Sequence, residues 1–80
     1  MAIYMLTHHH NPDDCRTAFV AWQGFESPLR HHPTLSSCVE GGHCVWWRVE
    51  AADDKAAVAL LPPWIAERTE AIRVREVPIP

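Results

Sequence analysis

The 80-residue chain predicts an α+β fold, and three observations carry that prediction. Short apolar runs of strand length open the chain, fill its middle and nearly close it. Two stretches with helical spacing and helix-start residues lie between those runs. A glycine pair, Gly41-Gly42, divides the middle run as a hairpin turn does.

The first strand is Ala2 to Thr7, where Ile3, Tyr4, Met5 and Leu6 are consecutive apolar residues, the pattern of a strand covered on both faces. Asn11-Pro12-Asp13-Asp14 starts a helix. Asn suits the cap, Pro the first helical position, and the two carboxylates the positive end of the helix dipole. Cys15, Ala18, Phe19 and Trp22 then form one apolar face, and Gly24 supplies the stop. Phe25 to Pro33 is a loop carrying Arg30, His31 and His32.

Thr34 to Glu40 and His43 to Glu50 make the hairpin. A two-residue turn sets Glu40 against His43, Val39 against Cys44 and Cys38 against Val45. The period of two places Cys38, His43, Val45, Trp47 and Val49 on one face, with Leu35, Val39, Cys44, Trp46 and Arg48 on the other. Asp53 or Asp54 caps a second helix, Lys55 to Leu61, which Pro62-Pro63 interrupts before a further turn through Trp64 and Arg68. Ala71 to Val77 is the last strand, and Pro78 and Pro80 suit an edge position. The order is βαββαβ, the ferredoxin-like split-βαβ arrangement, with a four-stranded antiparallel sheet and two helices on one face, forming a single domain over residues 1–80.

Composition narrows the function classes. The formal net charge of -3 argues against nucleic acid as a partner, because such affinity is dominated by cationic contacts. No apolar run reaches the roughly 18 residues that span a membrane. The first residues, MAIYMLT, carry no basic region or cleavage site of a signal peptide, and the three cysteines are an odd number without a secreted disulfide pattern. The expected compartment is therefore cytoplasmic, with reduced thiols. Four tryptophans are more apolar surface than so short a chain easily hides. A sheet covered by helices on one side leaves the other side bare, and the predicted answer is a homodimer packing sheet on sheet through Trp46, Val39 and Leu35.

The stretch THHHNPDDC, Thr7 to Cys15, is the candidate site. In a βαββαβ chain the end of the first strand, the start of the first helix and the hairpin turn share one edge of the sheet. His8, His9, His10, Cys15 and His43 therefore gather there, while His31 and His32 fall at the opposite end. His8 and His10, two apart on a strand, point the same way, and His9 points away. Cys15 at a helix start is expected to have a lowered thiol pKa. Imidazole with thiolate suits a transition metal: Zn, Ni, Cu or Fe. The predicted ligands are His8, His10, Cys15 and His43, with Cys38 in reserve because it shares a face with His43.

The segments THHHNPDDC, GGHCVWWRVEA and LLPPWIAERTEAIRVREVPIP resemble small bacterial and archaeal proteins of the dimeric α+β-barrel, ferredoxin-like type. The matching positions are His8, His10, Pro12, Cys15, Gly42 and His43. The resemblance implies binding of nickel or another transition metal in some relatives and a haem-handling monooxygenase activity in others. The additional His9 departs from the pattern and leaves open which histidines form the ligating pair.

Plainer readings stand beside these. The histidines can be a solvated strand end, Cys15 a small buried apolar residue, and the tryptophans core or interface. Two other functions compete with metal binding. One is a dimeric-barrel enzyme or small-ligand binder, with His43 or His10 as base or axial ligand in a Trp-lined pocket. The other is an interaction module without a ligand. No carboxylate pair or triad names a reaction, and whether the chain is an enzyme stays open.

Overall fold

Alternating burial along two long strands defines the sheet and decides where everything else packs. The computed structural model describes all 80 residues. Its strands are β1 (Ala2–His9), β2 (Leu35–Ser36), β3 (Cys44–Ala51) and β4 (Thr69–Val74). Its helices are α1 (Cys15–Val20), entered through a 3-10 turn at Pro12–Asp14, then α2 (Asp54–Val58) and α3 (Pro63–Ala66). The four strands form one antiparallel sheet in the order β2-β3-β1-β4. The chain is thus α+β, and β4 lies at an edge, as its following prolines suggest.

The even-numbered residues of β1 and the odd-numbered residues of β3 make the covered face. Tyr4, Leu6 and His8 are buried there beside Trp47, Val49 and Ala51. Ala57 of α2, Leu61 in the connection after it and Ile65 of α3 complete this core, and Trp22, just after α1, joins its edge with its ring 6.0 Å from that of Trp47. Leu6 and Ala57 are fully buried, and removing a side chain such as Leu6 from water stabilises the fold by about 1.5–3 kcal/mol. On the opposite face Leu35 and Ile72 are exposed and Trp46 is half-buried, so an apolar strip faces outward.

The local start signals act unequally. Asp53 caps α2, its Oδ1 accepting the Ala56 N–H at 2.7 Å. Asn11 occupies the cap position before Pro12 but makes no side-chain cap hydrogen bond. The Ala-rich helix ends at Val58, short of the expected Leu61. The last strand runs over Thr69–Val74, starting two and ending three residues earlier than expected, and places Ile72 and Val74 opposite Met5 and Ile3 on the open face.

The hairpin departs most from expectation. Leu35 pairs with Trp46 and Ser36 with Val45, so Cys38 does not face Val45 and the Cys38–Glu40 segment leaves the sheet. Ser37 is the reason. Its N–H donates to Cys44 O at 2.8 Å, its carbonyl accepts the N–H groups of Glu40 and Gly42, and its Oγ accepts the Cys44 N–H at 3.0 Å. One residue thus closes a wide turn in place of a two-residue one. Gly41 has φ 90° and His43 φ 57°, both left-handed. The second is uncommon for a residue with a side chain.

Candidate metal centre

Four soft donors meet at one end of the sheet. His10 follows β1, Cys15 is the first residue of α1, and Cys38 and His43 stand at the two sides of the turn held by Ser37. Their ligating atoms all lie within 4.8 Å of one another. Cys15 Sγ is 3.1 Å from His43 Nδ1, and Cys38 Sγ is 3.5 Å from His10 Nε2. With Zn–S near 2.3 Å and Zn–N near 2.0–2.1 Å, a regular tetrahedron has donor–donor edges of roughly 3.3–3.8 Å. Of the two short separations, 3.5 Å falls within that range and 3.1 Å slightly below it, and the longest exceeds it by roughly 1 Å. Small side-chain rotations close such a gap.

His8 lies outside this group. It is fully buried, and both of its ring nitrogens are used. Its Nε2 is 2.9 Å from His10 Nδ1, and its Nδ1 is 3.3 Å from Ile65 O and 3.4 Å from Thr69 Oγ1. The Thr69 hydroxyl donates to Ile65 O, so its oxygen is free to accept. Both neighbours of His8 Nδ1 are therefore acceptors, and that nitrogen carries the proton. His8 Nε2 must then accept, so His10 Nδ1 carries its own proton and donates. His10 Nε2 is thereby left with a bare lone pair facing Cys38. A hydrogen-bonded partner that fixes the tautomer and direction of a ligating imidazole is the usual companion of a metal site.

Burial, then the neighbouring His10, holds the His8 imidazole below its ordinary value of 6.5. Burial, then His43 and His9, does the same to His10. Both rings are thus held neutral, the form that ligates. Cys15 behaves opposite to expectation. Desolvation, then the adjacent Cys38 and Asp14, pushes its thiol up from the ordinary 9.0. α1 is only six residues long, too little helix to outweigh a second thiol and a carboxylate beside the sulfur. All three cysteines are free thiols.

His9 is exposed and sits opposite Cys44 on the other face of the sheet. His31 and His32 are not at the far end. They border the same cavity as His8 and His10, because β2 begins only at Leu35 and the preceding residues run along the covered face. Cys38, held in reserve by the sequence reading, belongs to the group because the wide turn lifts it off the strand. The signal for it is a mirrored spacing: His10-x4-Cys15 and Cys38-x4-His43. Each half brings one imidazole and one thiol across a tight bend, and the contacts at 3.1 and 3.5 Å pair each half with the other.

No helix is long and apolar enough to cross a membrane. Compared with protein-family models, curated proteins and solved structures, the chain matches none.

Proposed function

We propose that this chain is a zinc protein whose ion is held tetrahedrally by His10 Nε2, Cys15 Sγ, Cys38 Sγ and His43 Nδ1. The observation that carries the reading is the convergence of two thiols and two imidazoles within 4.8 Å. Thiolate and imidazole in a tetrahedral set select zinc over nickel, which favours square-planar or tetragonal sites, and over hard cations. Four protein ligands leave no open position, which is the arrangement of a structural site rather than a hydrolytic one. His8 orients His10. The fold belongs with the ferredoxin-like split-βαβ type: β3 lies between β1 and β2, and every neighbouring pair is antiparallel, which supports that reading.

Elemental analysis of untagged protein purified without chelator tests the proposal. One zinc per chain is expected, and Co2+ substitution should give the visible bands of tetrahedral thiolate coordination. No stoichiometric metal, after reconstitution with Zn, Ni, Cu and Fe in turn, would overturn it. A homodimer through the open sheet face is the second part of this reading, supported by outward-facing Leu35, Ile72 and Trp46. Leu35→Glu should then shift the mass measured by light scattering from dimer to monomer, and a wild-type monomer would remove the idea.

A further inference from the structure

A cavity of about 450 Å³ opens beside the metal centre, in the size range of small-molecule sites. Its inner end is formed by buried Ile65, His10 and Trp47, and Trp22 and Leu29 continue its apolar wall. Its mouth carries Arg30, His31 and His32. No Asp or Glu lines it, although the chain as a whole carries a net charge of -3.

Arg30 is the unpaired arginine that is not fully exposed, and it lines this cavity. It is half-buried, yet it has no carboxylate partner; the two ion pairs of the protein are Arg48–Glu76 and Arg68–Glu67. No buried side-chain nitrogen of the protein lacks a hydrogen-bond partner, so the Arg30 guanidinium stays open to water at the cavity mouth, a planar fork of donors free to pair with a planar anion. Its backbone is also held in place. Ser27 Oγ donates to Leu60 O at 2.6 Å and accepts the Leu29 N–H, and the Arg30 N–H donates to Ser27 O at 3.1 Å. His31 then turns the chain with φ 68°, a conformation that bulky side chains avoid and that recurs at ligand sites.

We infer that this cavity binds a small carboxylic acid with an aromatic or bulky apolar body. The body lies between Trp22, Trp47 and Leu29, and the carboxylate meets the Arg30 guanidinium at the mouth, where two N–H groups match its two oxygens. The inference rests on the zinc reading only in that a filled site fixes the part of the cavity lining made by His10 and Cys38.

Isothermal titration calorimetry with 3-phenylpropionate and its neutral amide, 3-phenylpropionamide, tests it. The protein is titrated both zinc-loaded and chelator-treated, with metal content measured on the same samples. The expected result is saturable one-to-one binding of the acid, at least tenfold tighter than the amide. Arg30→Gln should bring the acid-to-amide ratio to about one while leaving amide affinity in place, which also reports an intact cavity. Arg30→Lys should retain part of the preference. Absence of saturable acid binding, equal affinity for acid and amide in the wild type, or a preference that survives Arg30→Gln would each overturn the proposal. A preference that survives Arg30→Gln and vanishes with the metal would overturn the Arg30 assignment and also the four-ligand zinc sphere, since only an open metal position could take the anion. A wild type that takes up no metal would defeat the zinc reading alone, since the metal-free titration still decides the cavity.

Discussion

Replacing His8 with Ala separates an orienting residue from a ligand, provided that Cys38→Ala is measured beside it. His8 Nε2 accepts the His10 Nδ1 proton at 2.9 Å, so the substitution leaves that donor buried and the His10 ring free to turn. Loss of an orienting partner weakens a metal site about 10- to 100-fold. With free zinc buffered at a thousand times the wild-type Kd, the wild-type fold gains about 4.1 kcal/mol and the variant about 1.4–2.7 kcal/mol. The zinc-dependent rise in Tm should then shrink by about 6–20 °C, taking about 4–8 °C per kcal/mol for a chain of this size. The rise is read as the difference between zinc-loaded and metal-free melts of each variant by calorimetry. That difference cancels the cost of the space His8 leaves in the metal-free fold. Cys38→Ala removes a donor outright, and its rise should be close to zero. An undiminished rise in His8→Ala would refute the orienting role. The reverse ranking, with Cys38→Ala keeping the rise and His8→Ala losing it, would put His8 in the coordination sphere and Cys38 outside it.

Three further outcomes follow from the geometry. A Cβ on Gly42 would press on Ser37 Oγ and stand 2.8 Å from Ser37 Cβ, so Gly42→Ala should displace the turn that carries Cys38 and His43; a loss of about 1–3 kcal/mol and weaker zinc uptake in chelator competition are expected, and wild-type uptake would show that the turn has slack. His8 and His10 are both held below 6.5, so the unfolded chain binds their protons more readily than the metal-free fold does; stability is complete above about pH 6.5 and is lost as pH falls toward the depressed folded values, and a Tm that stays flat on acidification would contradict the burial argument. Asp53→Ala removes the Oδ1 that accepts the Ala56 N–H and should cost about 1 kcal/mol in urea denaturation, with zinc content unchanged because none of the four donors lies on α2.

The sheet was legible because its signal is periodic. Leu6 and Trp47 face the core by simple alternation, and the pairing of β1 with β3 follows from it. The site was half legible. His10, Cys15 and His43 converge because a βαββαβ order brings a strand end, a helix start and a turn together. The rest depends on contacts that no local pattern announces. Gly41-Gly42 suggests a two-residue turn, but the Ser37 hydroxyl and carbonyl organise a wider one, and the left-handed conformation of His43 gives no sequence signal. His8 and His10 are equivalent on a strand; what distinguishes them is the Ile65 carbonyl at the end of α3, distant in sequence by 57 residues.

The position of the donors suggests what the metal does for the fold. Twelve of 80 residues are buried, and most of them lie on β1, β3 and the helices after β3. The segment between β1 and β3 has little regular structure: a six-residue helix, a two-residue strand and long connections. All four donors lie at or within the bounds of that segment. The contacts Cys15–His43 and His10–Cys38 each join residues 28 apart. In the chain-entropy description of a cross-link, closing a loop of that length is worth about 3–4 kcal/mol. A zinc ion on these four donors would therefore fasten the half of the molecule that contributes least to the buried core, and with it the loop that presents Arg30. Removing zinc should accordingly raise amide exchange in β2, the Ser37–His43 turn and the Arg30 loop, while the centre of β1 and its partners in β3 and β4 stay protected. Loss of protection spread evenly over the whole sheet would show instead that the metal holds up the entire core.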